Sequence, residues 1–326
     1  MIDSLLVSLS IIFFGLMAGY IIQKLVERRI IQLPISLETL RKLLQKIGLL
    51  FFIPISFIGA LWIVQLKNAK LAALPLLGVF ALLIGGALGF IAAKLLRLGR
   101  KETGSMLTCA SFSNIGSIGG LVCYIFFGEK GYALVPVYKL FEQLIYFAIG
   151  LPIVKIFSTN TIIKEKLLSR LRQVATDIFV IVALASVAIG ILLNLSGIKR
   201  PVFYETVNTI SIPAGTIALL ASIGLAMKFG KVKKYLKECL TVCIIKFMLV
   251  PITISASAFF LGYGKISEGL PLKVVIILSC MPVAFSALIP ISIYDLDLDL
   301  ANSCWLITTF GLIIILPILY YIVNLF

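Results

Sequence analysis

The feature that most constrains this chain is a succession of long apolar runs separated by short polar breaks. Ten can be drawn, at roughly 4–23, 47–66, 71–93, 104–127, 131–154, 174–196, 204–227, 237–262, 271–294 and 300–324. Each is long enough to cross a hydrocarbon core, which takes about 20 helical residues. One aqueous core would not hide them: 61% of the residues are hydrophobic and 13% charged, against about 45–50% and 25% in soluble domains. Lipid is therefore the expected solvent, and the expected fold class is an all-α polytopic membrane protein of ten transmembrane helices. The opening Met1-Ile2-Asp3-Ser4 lacks the basic stretch of a cleaved signal peptide, so the first run is read as a retained helix.

A net charge of +15 would suit a nucleic-acid binder, but its distribution excludes that reading. The basic residues cluster between the apolar runs, where membrane proteins place their cytoplasmic loops. With residues at a span's edge counted in the adjoining loop, the loops after odd-numbered spans hold 20 Lys and Arg and those after even-numbered spans hold 7. Only Lys139 and Lys246 lie within spans. The asymmetry puts the odd loops in the cytoplasm and both termini outside it, with the plasma (inner) membrane as the expected location. The six cysteines all fall in apolar segments, and there is no histidine. No zinc or disulfide spacing is evident, so neither a metal nor a cofactor is expected.

The spans divide into two halves of five, 1–157 and 173–326, joined by a basic, polar linker at 158–172. An odd number of spans per half makes the second half enter from the opposite side, which is the inverted repeat common in transporters. Landmarks recur at corresponding places. Span two carries Pro54 and span seven Pro213, and spans four and nine are both interrupted.

These interruptions carry the functional signal. Span four holds Ser111, Ser113, Asn114, Gly116, Ser117, Gly119 and Gly120; span nine holds Ser279, Pro282, Ser286 and Pro290. Each interior Gly weakens a helix by about 1 kcal/mol and each Pro by about 3. One reading is close helix packing through small residues. The other is a pair of discontinuous helices crossing at the midplane, whose half-helix ends offer N–H groups to an anionic solute. Two such spans in equivalent places favour the second. Asn114 is then the leading site residue, because its amide can donate to a carboxylate. Ser113, Ser117, Gly116, Ser286 and Pro282 join it, Pro282 by opening the helix.

Ionisable groups inside spans cost at least about 2.5–3.5 kcal/mol each. Lys139 and Glu142, three apart in span five, form either a structural ion pair or a coupling or substrate-contact pair, with Gln143 beside them. Lys246 in span eight either snorkels to the cytoplasmic end or faces a cavity as an anion-attracting cation. Asp295, Asp297 and Asp299 read as caps of span ten or as a metal or proton site. Trp62, Trp305 and the tyrosines near span ends read as interfacial anchors or packing.

At these residues the chain resembles the auxin efflux carrier family, the PIN-like membrane transport proteins, as a short, bacterial-type member. Ser113-Asn114-Ile115-Gly116-Ser117-Ile118-Gly119 is similar to the family's Asn-x-Gly-Asn-x-Gly stretch, followed by Phe127-Gly128 and Gly131. Met281-Pro282-Val283-Ala284-Phe285-Ser286-Ala287 is similar to its Pro-Thr-Ala-x-Asn-Ala stretch, and Lys246 ahead of Pro251 to a basic residue before a proline in its eighth span. The likeness covers nearly the whole chain. It implies a ten-span fold of inverted five-helix repeats, a scaffold part, a mobile part holding the crossed helices, and organic anions as substrates. The chain departs from the family where Gly119 and Gly120 stand in place of a proline, and where Ser117 and Ser286 stand in place of asparagines.

The expected function is thus a secondary or potential-driven transporter moving a small organic anion by alternating access. The alternatives are a carrier like the bile acid sodium symporters, or a channel on the same scaffold. An intramembrane enzyme is disfavoured, since the chain has no histidine, no His-Glu-x-x-His and no Ser–base pair. The partners expected are the solute and the bilayer, and a homodimer is an assembly this reading allows.

Overall fold

The computed structural model describes residues 2–64, 68–158, 172, 175–229 and 231–325. Most of the 158–172 linker therefore lies outside the described residues. The main helices, in chain order, are α1 Ile2–Glu27, α2 Leu37–Ile63, α3 Ala69–Leu95, α4 Arg100–Ser111, α5 Gly120–Tyr138 and α6 at 142–157. They continue with α7 Ile178–Leu195, α8 Phe203–Gly224, α9 Leu236–Phe260, α10 Leu270–Ser279, α11 Leu288–Ile293 and α12 Leu298–Val323. Among the described residues, eight helical stretches are long and apolar enough to cross a membrane. The expected spans four and nine are not among them as single helices. The first is split into α4 and the start of α5, the second into α10 and α11, and each piece of the second is short.

Local chemistry explains the ends and bends. Ser36 caps α2 by accepting from the Thr39 amide at 3.1 Å, satisfying one of the helix's free donors. Asp297 caps α12 in the same way, through Leu300 N at 2.8 Å. Three helices widen into a π turn just before a mid-course proline, Gly48–Phe52 before Pro54, Tyr146–Gly150 before Pro152 and Ile245–Leu249 before Pro251, whereas α8 and α12 pass Pro213 and Pro317 as α-helix. A proline ring clashes with the carbonyl four residues back, and one extra residue in the turn relieves the clash. Nearby donors pick up carbonyls there. The Ser56 hydroxyl donates to Phe52 O at 2.8 Å, and the Cys280 thiol to Phe247 O at 3.8 Å.

Span five differs from its expectation as one helix. Gly128 (φ 63°) links the two arms of α5, and after Tyr138 the chain makes a turn at Lys139–Phe141, closed by Glu142 N to Lys139 O at 2.9 Å.

By contacts the chain forms two compact units. The first comprises Met1–Lys67, Gly116–Pro136 and Ile178–Lys228. Here α1 crosses α8 so closely that a methyl at Gly15 would stand 2.9 Å from Leu220 Cβ, and methyls at Gly19 and Gly224 would strike the Ala221 and Leu16 carbonyls. Without a hydrophobic drive between helices in lipid, such close backbone approach is what holds them together. The Asn194 amide lies across the end of α2, donating to the carbonyls of Leu61, Trp62 and Val64 at 3.0, 2.9 and 2.7 Å. Arg200 pairs with Glu129 and donates to Gly59 O at 3.0 Å.

The second unit comprises Asn68–Ile115, Val137–Asp177 and Phe229–Phe326. In it α3 packs on α4, with Gly89 facing Ala110 and the Ser111 hydroxyl donating to Leu82 O at 2.8 Å. At one end Lys101 pairs with Asp295 at 2.6 Å, Lys231 with Asp299 at 2.8 Å, and the Tyr235 hydroxyl donates to Asp297 at 2.7 Å. The three aspartates are thus engaged with a cap, two lysines and a tyrosine.

Candidate functional site

The site is built where α4 and α10 stop. Ser and Asn side chains compete for backbone bonds and shorten helices, and α4 ends at Ser111 with Phe112 extended (φ −85°, ψ 129°). Pro282 cannot donate, and it biases the residue before it towards extended backbone. The chain accordingly leaves α10 after Ser279 and is still extended at Ala284 (φ −71°, ψ 141°). The two extended stretches run antiparallel, and Ser113 bridges Val283. Asn114 N–H donates to Pro282 O at 2.8 Å, and Ala284 N–H to Phe112 O at 3.0 Å. A third donor freed by the break, Val283 N–H, reaches the Thr308 hydroxyl on α12 at 3.2 Å. Backbone groups released from two helices therefore satisfy each other inside protein, which a membrane interior requires.

Lys246 completes the crossing. From the π turn of α9 its ammonium donates to Ser113 Oγ at 2.8 Å and to Ser111 O, at the end of α4, at 3.0 Å. It is 1% exposed, so it does not snorkel. A cation here meets the negative end of the α4 dipole.

Of the residues singled out from sequence, the structure gathers Ser113, Asn114, Pro282 and Lys246. The first two are nearly buried and Pro282 is buried. Ser286 lies just beyond the extended stretch and is exposed; its carbonyl sits 3.5 Å from the Tyr146 hydroxyl. Gly116 and Ser117 lie on the wide turn Ile115–Gly119 that follows Asn114 along the chain, and Ser117 is buried. By contacts both belong to the first unit. Lys139 and Glu142 pair at 3.2 Å, across the turn in span five. Gln143 is exposed.

Several participants were not anticipated. Thr308 reads as an ordinary hydroxyl in an apolar helix, and it also makes the usual local bond to Cys304 O at 2.8 Å. Phe112 and Tyr146 meet edge to face at 5.1 Å, against the opening of α6. Neither carries a sequence signal beyond being aromatic.

The chain matches none of the known protein-family profiles. It is similar, at 21% identity over 250 residues, to an "uncharacterized transporter" of Methanothermobacter thermautotrophicus (strain Delta H), covering 77% of this chain and 78% of that protein.

Proposed function

We propose that this polytopic helical protein is a carrier for small organic anions of the auxin efflux carrier type, working by alternating access, with the pairing of 112–114 and 281–284 as its solute site. The observation that carries this reading is the antiparallel crossing itself: two interrupted helices, bonded to each other through Asn114, Pro282, Phe112 and Ala284. Helical chain resumes just after each stretch, at Ile115 and at Phe285. Interrupted helices at a crossing leave N–H groups and partial positive charge facing the same place. Asn114, with Ser113 and Ser286, is assigned to the solute's carboxylate, Gly116 and Ser117 to the turn that follows Asn114 along the chain, and Pro282 to keeping the helix open. Lys139 and Glu142 are assigned to the ion pair that neighbours it.

The same reading takes the chain as ten spans in two inverted halves, 1–157 and 173–326. What supports this is how the units are composed. The first takes spans one, two, six and seven with the second part of span four and the start of span five. The second takes spans three, eight, nine and ten with the remainder of four and five. Spans one and six, two and seven, and three and eight thus fall pairwise in the same unit, whereas spans four and five are each divided between the units. The charge asymmetry supports both termini outside the cytoplasm, in the plasma (inner) membrane. The name of the distant relative supports carriage in general, without a solute.

The test is a panel of small carboxylates screened by thermal stabilisation of the purified protein, since binding to the folded state raises its melting temperature. A hit is expected to weaken by about 10- to 100-fold in Asn114→Ala, the equivalent of roughly 1–3 kcal/mol for an unpaired buried partner. In proteoliposomes the hit should show saturable flux and counterflow. Flux that rises linearly with concentration would make the protein a channel.

A further inference from the structure

Three of the cysteines come together inside the second unit. The starts of α4, α9 and α12 are pinned to one another where Lys101 pairs with Asp295 at 2.6 Å, Lys231 with Asp299 at 2.8 Å, and the Tyr235 hydroxyl donates to Asp297 at 2.7 Å. From that end Cys239 is the fourth residue of α9, Cys304 the seventh of α12 and Cys109 the tenth of α4. The three helices pack on one another, and the Cys304 thiol is within hydrogen-bonding reach of both Cys109 and Cys239. The Cys109 thiol also donates to Ala301 O at 3.9 Å, three residues before Cys304 on α12. All three side chains are 0% exposed.

Buried cysteines in apolar helices are ordinarily inert small side chains. What sets these three apart is that each has a second sulfur beside it, so a sulfur once oxidised needs no partner from outside. Among the described residues no three Cys, Asp or Glu side chains are grouped to hold a metal ion, which directs the cluster to chemistry between sulfurs.

We infer that Cys109, Cys239 and Cys304 form an oxidation site with Cys304 as the shared member, where a small neutral peroxide converts Cys304 and one neighbour to a disulfide and ties α12 to α4 or to α9. In the first step a thiol sulfur attacks one peroxide oxygen, the O–O bond breaks, and the departing hydroxide takes the thiol's proton as water, leaving a sulfenic acid. In the second the neighbouring thiol attacks the sulfenic sulfur, the S–O bond breaks, and the hydroxyl leaves with that thiol's proton as a second water. The sulfur pair loses two electrons and the peroxide gains them. Whichever sulfur is oxidised first, Cys304 takes part, because it is the sulfur that both others reach. A Cys109–Cys304 bond joins the last turn of α4 to α12 one turn before Thr308, the acceptor of Val283 N–H. The inference rests on packing within this unit and goes beyond the carrier reading without depending on it.

The experiment treats the full-length protein, purified in reductant and then freed of it, with hydrogen peroxide. Remaining thiols are alkylated as the protein is denatured, and linked peptides are mapped by mass spectrometry. The wild type is expected to lose one pair of alkylatable thiols per chain, to show Cys304 linked to Cys109 or to Cys239, and to regain the pair with dithiothreitol. Cys109→Ser and Cys239→Ser should each still form the remaining link through Cys304, and Cys304→Ser should form no link within the chain. The inference is overturned by a folded wild type that keeps all its thiols, by oxidation that stops at sulfinic acid, or by a Cys109–Cys239 or Cys239–Cys243 link in place of one through Cys304. If Cys304→Ser does not fold, the wild-type peptide map decides alone: a link through Cys304 upholds the shared member and any other link removes it. No solute enters the measurement, so failure of the carboxylate screen and failure of this inference are separate results.

Discussion

Pro54 in α2 and Pro282 after α10 are the same residue in the same kind of apolar run, yet one bends a helix and the other ends it. Before Pro54 the helix widens into a π turn, Ser56 takes up a carbonyl at 2.8 Å, and α2 continues to Ile63. Around Pro282 the chain is extended, and its backbone bonds go to Phe112 and Asn114 on another interrupted segment. A proline removes one donor and displaces one carbonyl, which a local adjustment can absorb. Abandoning the helix altogether frees several groups at once, and in a membrane that is tolerable only where a second segment is broken to receive them. The Pro282 break is therefore a joint property of two segments, whereas the Pro54 bend belongs to one.

The largest effect that would break this comparison is at Thr308. Thr308→Val preserves shape but leaves Val283 N–H buried without its acceptor, so stability should fall by about 1–3 kcal/mol. Urea or thermal unfolding in detergent measures it, and a loss under about 0.5 kcal/mol would mean the crossing holds without α12. Pro282→Ala comes next. The variant can extend α10, and the pairing with 112–114 then competes with a regular helix. Solute affinity is expected to stay within about threefold while turnover changes by about tenfold, an effect of roughly 1.4 kcal/mol on the barrier. Unaltered turnover would place the break outside the transport cycle. Pro54→Ala should be milder, because the π turn can relax to an α turn; a stability change of less than about 1 kcal/mol, of either sign, is expected. The smallest change concerns the exposed pair Lys231–Asp299, 2.8 Å apart with 64% and 49% of the two side chains accessible. Lys231→Ala should cost about 0–1 kcal/mol and vanish in high salt. A larger loss would make the loop before α9 part of what holds α12 in place.

Particular residues show how far the sequence reaches. The interruptions at 111–120 and 279–290 are legible because Gly, Ser and Pro act locally on the backbone, and the helices do stop at Ser111 and Ser279. The turn at Lys139–Phe141 was not legible: the residues there are compatible with a helix, and only the position of α6 distinguishes them. Lys246 could be flagged as an uncommon cation in lipid, and its place nine residues from a span end favours a cavity-facing role over a strained snorkel, but its partners were not legible. Its partner is Ser113, 133 residues away.

What the sequence by itself determined is the solvent, the all-helical class and where the apolar runs break, because run length against bilayer thickness and the positions of helix-breaking residues are properties of contiguous chain. The tertiary structure alone decided that Ser113 meets Val283, that Thr308 receives the remaining N–H, and that an ammonium closes the end of α4. Those bonds form between groups that become neighbours only after helices from both halves of the chain have packed. Each group's need for a partner is written in the sequence, but the identity of the partner is not.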